Sequence, residues 1–223
     1  MKSPLVTVLT ATIGRSSLDT LIDSIDKQPC RDQIMHLLLW DDVRAPEAKE
    51  PSSFNGQNRF SIVAPPATAR YGDSVSGPLL AMGLMAAKTP WVTFADDDIR
   101  WEPNHLKTLL DSARGHNWAY SLRRIWTPNG ECLGIDRFES IGDQPTRKVD
   151  YEMCDSNSVL FKREFGTKGA NCFRESTAYN GDRLFYLFLK KYAGPGACTN
   201  QPTFNQTCPD RLVDFFKEGC SAE

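Results

Sequence analysis

The 223-residue sequence predicts an α/β fold with a mostly parallel central sheet flanked by helices. Apolar runs of strand length occur at 5–11, 34–40, 60–64 and 91–95. They are apolar at nearly every position, which is typical of parallel strands that are buried on both faces. Segments with helical spacing lie among them in the order strand, helix, strand, strand, helix, strand, and this order predicts a sheet covered by helices.

The two helices of this first half have recognisable sequence signals. Gly14 breaks the first run, Ser16 or Ser17 can cap a helix, and apolar residues follow at 18, 21, 22 and 25. The second helix is expected from about Pro78 to Lys88.

The second half of the chain predicts a less regular structure. The expected elements are a helix at 102–113, a hairpin with strands at 118–126 and 131–135, a strand at 156–161, a helix at 182–192, an extended segment at 194–208 and a short helix at 210–217. The hairpin is indicated by Pro-Asn-Gly between its strands. No repeat or linker divides the chain, so we predict a single domain over residues 1–223.

Composition excludes several classes of protein. Hydrophobic residues make up 40%, charged residues 24%, and the net charge is −2, so nothing indicates a nucleic-acid partner held by bulk charge. No apolar run reaches the 18 residues that a membrane span needs, and the start carries no signal-peptide core. We therefore expect a cytoplasmic protein. The seven cysteines form no Cys-x-x-Cys pair, which favours reduced thiols.

Polar residues follow three of the predicted strands, and these positions define a candidate site. They are residues 12–15 after the first strand, Asp41 and Asp42 after the second, and 96–98 after the fourth. In open sheets of this kind, ligands bind at the carboxyl ends of the strands. We expect these side chains to converge there.

The acidic run predicts a site for a hard divalent cation. If the chain stays extended, Asp96 and Asp98 project to one side of the strand end and Asp97 points elsewhere. Two such carboxylates suit Mg²⁺ or Mn²⁺, and the ion could neutralise the charge of a diphosphate. The alternative is an acidic turn that caps the next helix.

Five segments carry a resemblance to a known family. They are VLTATIGR at 8–15, WDD at 40–42, GLMAAKTPWVTFADDD at 83–98, WEPNHL at 101–106 and NGDRLF at 180–185. In this order and spacing they resemble the motifs of family 2 glycosyltransferases of the GT-A fold, and the resemblance spans about residues 4–192. It implies a Rossmann-like GT-A domain with a nucleotide-sugar-binding half at about 1–101. The acceptor-binding half, a small β and loop portion, would be about 102–223.

The resemblance also implies a role for each matched residue. Thr12 and Arg15 would line the nucleotide pocket, and Asp42 would accept a hydrogen bond from the base. Asp96 would contact the ribose or the metal shell, and Asp98 would bind the metal directly. The predicted nucleotide-binding residues are Thr12, Arg15, Asp42, Arg70, Tyr71, Asp96 and Asp97, and the predicted metal ligands are Asp96 and Asp98.

Asp182 is the predicted catalytic residue. By resemblance it is the general base that takes a proton from the acceptor hydroxyl, which attacks the anomeric carbon from the far side and inverts its configuration. The Glu that usually precedes it in the family is Gly181 here. The arginine that the family carries before its helix glycine is also missing. Arg70 is expected to replace it at the diphosphate, unless it is only a solvated loop residue.

Candidates for sugar contacts are weaker in the sequence. Trp101 is the best aromatic platform, although a tryptophan after an apolar run also suits a core. Asp155, Ser156 and Asn157 precede a strand and could bind sugar hydroxyls or could cap that strand. Tyr71 could stack on the base.

The predicted function is an inverting, Mn²⁺- or Mg²⁺-dependent glycosyltransferase. It would move a hexose, by default glucose or galactose, from a UDP-sugar to an unidentified carbohydrate or glycoconjugate acceptor; the sequence leaves the oligomeric state undefined. One alternative is a non-catalytic nucleotide-sugar-binding module, which Gly181 allows. Others are a retaining glycosyltransferase or a sugar nucleotidyltransferase, although the latter would want a glycine-rich phosphate loop where residues 11–15 have one glycine. A Rossmann oxidoreductase is disfavoured by the missing Gly-x-Gly-x-x-Gly.

Overall fold

The computed structural model describes residues 3–41, 58–64, 76–145, 150–174 and 180–221. The strands in chain order are β1 (Val6–Thr12), β2 (Ile34–Asp41), β3 (Arg59–Ala64), β4 (Trp91–Phe94), β5 (Ile99–Trp101), β6 (Trp118–Trp126), β7 (Cys132–Asp136), β8 (Val159–Lys162), β9 (Ala197–Thr207) and β10 (Cys220–Ser221). The helices are α1 (Leu18–Asp26), α2 (Ser76–Ala86), α3 (His105–Ser112), α4 (Arg163–Gly169), α5 (Asn171–Arg174), α6 (Gly181–Tyr192) and α7 (Val213–Gly219). Short 3₁₀ helices cover Arg31–Gln33, Ser156–Ser158 and Asp210–Leu212.

The first half of the chain forms the parallel part of the sheet, in the order β3, β2, β1, β4. All three neighbouring pairs are parallel. Strand β1 is buried along its whole length because it has a neighbour on each edge and side chains packed on both faces. The four strands that the apolar runs predicted are therefore confirmed.

The second half of the chain makes the sheet mixed. Strand β8 runs antiparallel to both β4 and β6, and β7 runs antiparallel to β6 and β10. Along its other edge, β6 pairs in parallel with β9, which also pairs antiparallel with β5. The predicted parallel arrangement thus holds for β3, β2, β1 and β4, and beyond β4 the sheet is mixed because the hairpin β6–β7 and the returning strand β8 reverse the direction of the chain.

Helices cover both faces of the sheet. On one face, α2, α5 and α6 pack into a core with side chains such as Leu9, Phe94 and Phe161. On the other face, α1 and α3 pack against Val8 and Phe204. This arrangement confirms the predicted α/β fold. No helix within the described residues is long and apolar enough to cross a membrane.

Helix α2 lies very close to the strands beneath it. A Cβ added at Gly83 would lie 2.7 Å from Leu39 Cδ1 and 3.0 Å from Leu9 Cδ2. Glycine at this position therefore allows the close approach of the helix to β1 and β2.

Three strands and two helices were not expected from the sequence, among them the two-residue strand β10. Strand β9 was predicted only as an extended segment, because it contains Pro202 and buries just 203–205 fully. Its partner β5 is three residues long, and the helix predicted to start at 102 begins only at His105. Helix α4 carries two glycines, which weaken its helical signal, and α5 is a single turn.

Candidate functional site

The candidate site lies where β1 and β4 end at the same edge of the sheet. Thr12 is the last residue of β1, and 96–98 follow β4 directly. The chain turns at Asp97 and Asp98 before it enters β5. The expectation that an extended strand end aligns Asp96 with Asp98 is therefore wrong.

Asp97 anchors this acidic turn to the loop after β1. The Thr12 hydroxyl donates to Asp97 Oδ2 at 2.7 Å, and Arg15 Nη1 donates to Asp97 Oδ1 at 2.7 Å. The residue is 3% exposed. Both carboxylate oxygens thus bind protein donors, so Asp97 is a structural link and its prediction as a nucleotide-binding residue is corrected. The Thr12 hydroxyl is likewise committed, since it also accepts from the Gly14 N–H at 2.9 Å.

Arg15 bridges two neighbouring acids. Its Nη1 also lies 3.3 Å from Asp98 Oδ2, and the side chains of Arg15 and Asp98 are 51% and 49% exposed. Partial burial raises the pKa of the Asp98 carboxyl, and the Arg15 charge opposes that rise. Arg15 and Asp98 are therefore accessible to a ligand, whereas Asp97 is not.

Asp96 is held by an amide side chain from another part of the chain. Its backbone N–H donates to Asn157 Oδ1 at 2.6 Å, and Asn157 Nδ2 donates to Asp96 Oδ2 at 2.9 Å. Burial and then the charge of Asp98 raise the pKa of the Asp96 carboxyl well above its ordinary range, against the Asn157 hydrogen bond. The two acids predicted as metal ligands therefore share one electrostatic environment.

The described residues contain no group of three or more His, Cys, Asp or Glu placed to hold a metal ion. The chain offers instead one half-exposed carboxylate, Asp98, with Asp96 beside it. Mg²⁺ is commonly bound in this way, by one or two carboxylates together with substrate phosphates and water. The residues present therefore fit an ion that arrives with a diphosphate.

Asp182 occupies the first turn of α6, directly after Gly181. The residue as a whole is partly exposed, while its carboxyl lies among protein atoms. Burial and the charge of Asp155 raise the pKa of this carboxyl to about 7, against a hydrogen bond with Ser156 and the charge of Arg123. The charge of Asp182 is also one of the charges that raise the pKa of the Asp96 carboxyl.

The segment 155–157 connects the acids to the interior. Asp155 caps the 3₁₀ helix Ser156–Ser158 by accepting from the Asn157 N–H at 2.9 Å, and it pairs with Arg123 Nη1 at 2.5 Å. Asp155 and Asn157 are 6% and 1% exposed. The prediction that they bind sugar hydroxyls is corrected in favour of capping, since their polar atoms are engaged within the protein. Ser156 is also buried, against Asp182.

Arg123 is a functional candidate that sequence reasoning missed. Its guanidinium lies 2.8 Å from Asp136 Oδ2 and 3.1 Å from Glu139 Oε2, besides its contact with Asp155, and its side chain is 3% exposed. Burial alone would lower the pKa of Arg123, but these carboxylates raise it overall. The available signal was the arginine pair at 123 and 124 inside the mostly apolar strand WAYSLRRIW, because a buried arginine requires acidic partners.

Other predicted residues are not at the site or lie outside the described part of the chain. Trp101 is 4% exposed, and its ring packs on His105 with 4.6 Å between centroids. Its prediction as a sugar platform is therefore corrected, since the ring belongs to the core. Asp42, Arg70 and Tyr71 lie outside the described residues.

A parallel β3-β2-β1-β4 sheet continued by antiparallel strands, with acids at the end of β4 and at the start of α6, is a GT-A fold. Among solved structures, a chain of TarS residues 1–349 from S. aureus in complex with UDP matches with a TM-score of 0.61 and 15% identity over 95% of this chain. The corresponding complex with UDP-GlcNAc matches with a TM-score of 0.58 and 13% identity over 92% of this chain. The chain spans 62% and 59% of those two chains, and 38% of a longer TarS chain.

A match to a different protein covers nearly all of this chain and of the matched chain. It is 4-diphosphocytidyl-2C-methyl-D-erythritol synthase from Anaerococcus prevotii DSM 20548, with a TM-score of 0.51, 13% identity, and coverage of 96% of this chain and 95% of that one. No family model and no curated protein matches the sequence. At these identities the likeness shows the fold, and it confirms the GT-A fold that the sequence motifs implied.

Proposed function

We propose that this protein is an inverting glycosyltransferase that moves a hexose from a UDP-sugar to a hydroxyl of a carbohydrate or glycoconjugate. The GT-A fold, shared with TarS chains that hold UDP and UDP-GlcNAc, supports a nucleotide-sugar donor. The observation that carries the proposal is the position of Asp182. Asp182 is partly exposed, and the pKa of its carboxyl is raised to about 7. Its charge also acts on the carboxyl of Asp96.

Asp182 would act as the general base. A base is most effective when its pKa lies near the working pH, and about 7 meets this condition. Its carboxylate would take the proton of the acceptor hydroxyl while that oxygen forms a bond to the anomeric carbon. The bond from the anomeric carbon to the UDP oxygen breaks on the opposite face, so the configuration inverts.

Asp98 would hold Mn²⁺ or Mg²⁺ at the diphosphate, and Asp96 would contact the ribose or the metal shell. The ion supplies positive charge that stabilises the departing UDP. Arg15 Nη1 lies 3.3 Å from Asp98 Oδ2, and its half-exposed side chain would face the same phosphates.

The test is calorimetric titration of UDP into the protein with Mn²⁺ and then with EDTA, for wild type and Asp98→Ala. We expect binding that needs the ion and is lost in the variant, and GDP and dTDP serve as matched nucleotides. UDP-glucose, UDP-galactose and UDP-GlcNAc are then screened for slow hydrolysis. Absence of binding by all three nucleotides would overturn the proposal.

Two alternatives have specific support. The match to the diphosphocytidyl-methylerythritol synthase supports a nucleotidyltransferase, which would release pyrophosphate from a nucleoside triphosphate. Gly181, in place of the family's Glu, supports a binding module that holds UDP without turnover. A pyrophosphate-release assay identifies the first, and UDP binding without hydrolysis or transfer identifies the second. A retaining transferase is distinguished by the anomeric configuration of the product.

A further inference from the structure

One short segment contacts the acids on both sides of the candidate site. Residues 155–157 lie just before β8, which pairs with β4 in the sheet. Asn157 binds Asp96 through two hydrogen bonds, and the neighbouring Ser156 lies beside Asp182, where it lowers the pKa of that carboxyl.

Asn157 uses both atoms of its side-chain amide. Its Oδ1 accepts from the Asp96 backbone N–H at 2.6 Å, and its Nδ2 donates to Asp96 Oδ2 at 2.9 Å and to Asp155 Oδ1 at 2.8 Å. The amide orientation follows from these partners, since the N–H requires an oxygen and the two carboxylates require a donor. If the amide were flipped, its nitrogen would face the Asp96 N–H, which is a donor, and its oxygen would face two carboxylates, which are acceptors. The side chain is therefore fixed in one orientation.

Asp155 is in turn fixed from the interior. Its Oδ2 lies 2.5 Å from Arg123 Nη1, and its backbone N–H donates to Ser140 Oγ at 3.0 Å. Arg123 also lies 2.8 Å from Asp136 Oδ2. A chain of hydrogen bonds therefore runs from the core through Asp155 and Asn157 to Asp96.

We infer that Asn157 is a positioning residue that fixes Asp96 for the nucleotide sugar, and that Asp155 and Arg123 hold Asn157 in place. The inference rests on the proposed function, because it assigns a role at the same site. Asn157 contacts Asp96 at both its backbone N–H and its carboxyl oxygen Oδ2. Without the amide, nothing in this hydrogen-bond chain keeps that carboxylate in position against its neighbours.

The experiment compares Asn157→Ala with Ser158→Ala. Ser158 is equally buried in the same 3₁₀ helix, but its hydroxyl donates to the Asp155 carbonyl at 2.7 Å. Amide hydrogen exchange by NMR, without nucleotide, reports the Asp96 N–H directly. The Ala95 N–H, which donates to the Leu9 carbonyl at 2.9 Å, is the internal control.

We expect Asn157→Ala to lose protection at Asp96 and to keep it at Ala95. The affinity for UDP with Mn²⁺ should fall at least about tenfold, equivalent to one hydrogen bond to a charged group. For transfer, we expect KM for the donor to rise more than kcat falls. Ser158→Ala should bind UDP like the wild type, even if its melting temperature is lowered.

If Asn157→Ala does not fold, Asn157→Asp replaces it. This variant has the same shape and keeps an acceptor for the Asp96 N–H, but it has no donor for Asp96 Oδ2. We expect preserved exchange protection together with weakened UDP binding. UDP affinity equal to the wild type in a folded variant would overturn the inference alone, whereas a wild type that binds no nucleotide would overturn the proposed function.

Discussion

At the residue scale, Asp182 is the proposed general base of the reaction. We expect Asp182→Asn to lower the transfer rate by about 10²–10⁴-fold, because a positioned base contributes that much. UDP binding should be nearly unchanged, since Asp182 lies on α6 and not in the acidic turn. The measurement is steady-state transfer together with UDP calorimetry. The matched control is Asp214→Asn, an exposed acid at the same position in the first turn of α7.

The raised pKa of Asp182 predicts a pH profile. Only the ionised carboxylate can accept a proton, so the rate should fall up to tenfold for each pH unit below about 7 and level off above it. The profile is measured between pH 5.5 and 8.5 with saturating donor. The residual rate of Asp182→Asn should lack this step, and a wild-type rate that does not change across the range would contradict the assignment.

Arg15 occupies the position beside Asp98 that a metal ion would approach. We expect Arg15→Ala to bind Mn²⁺ alone more tightly, because the ion no longer competes with the guanidinium 3.3 Å away. The pair is half exposed, so the gain should be at most about 1 kcal/mol, or about fivefold. Mn²⁺ titration followed by electron paramagnetic resonance measures it. Arg114→Ala, which removes another exposed Arg–Asp pair, is the control, and weaker Mn²⁺ binding by Arg15→Ala would show that Arg15 assists the ion.

At the scale of single elements, helix α6 positions the candidate base through its buried face. Phe185 follows Asp182 by three residues, is 1% exposed, and packs on Phe161 and Phe173 with ring centroids 4.9 and 5.1 Å apart. We expect Phe185→Ala to lower the free energy of unfolding by about 3–5 kcal/mol. Urea denaturation measures the change. Leu187→Ala on the same helix is 42% exposed and should stay within about 0.5 kcal/mol of the wild type.

The sequence predicted the elements whose signals are local. Strands β1 to β4 are apolar over most of their length, and their existence follows from that pattern, whereas β3 buries only its two end residues fully. Strand β9 has no such pattern, because its partners β5 and β6 supply the pairing and only its middle is buried. The turn at Asp97 depends on hydrogen-bond donors from Thr12 and Arg15, more than 80 residues away, so local sequence patterns could not predict it.

The location of the candidate site was predictable from the sequence, but the roles of its residues were predictable only in part. The acids at 96–98 and 182 could be placed because strand ends and helix starts have sequence signals. Whether a polar side chain faces a ligand or a protein partner is decided by distant residues. Asn157 faces Asp96 and Asp155 faces Arg123, and both were predicted as sugar contacts for lack of that information.

At the scale of the whole molecule, buried groups respond to pH in opposite directions. Burial raises the pKa of the carboxyls of Asp96, Asp98 and Asp182, so their ionisation opposes folding as pH rises. Burial lowers the pKa of His105 to about 3 and that of His36 well below 6.5, so the unfolded chain takes up protons that the folded protein excludes as pH falls. Between about pH 4 and 7, the contributions of the carboxyls and of the histidines to the pH dependence of stability therefore have opposite signs.

The contribution of His105 can be measured as the difference in the free energy of unfolding between the wild type and His105→Asn. Because the folded pKa of His105 is lowered, its contribution is intact above pH 6.5 and is lost as pH falls toward 3. Between pH 6.5 and 5 the wild type should lose about 1.6 kcal/mol relative to His105→Asn, because the slope approaches about 1.4 kcal/mol per unit only below the unfolded pKa. Urea unfolding of both proteins in EDTA gives this difference, since the carboxyl contributions cancel. A constant difference would mean that His105 takes up a proton in the folded protein.

The acidic turn has an anchor on each side. Strand β4 precedes it in the middle of the sheet, and β5, paired with β9, follows it. The conformational entropy of ordering these residues is therefore lost when the protein folds and not when a ligand arrives. Such preorganisation favours affinity without requiring many contacts. A ligand of the proposed kind would therefore need few contacts to bind at this turn, and we expect its affinity to fall if the pairing of β5 with β9 is weakened.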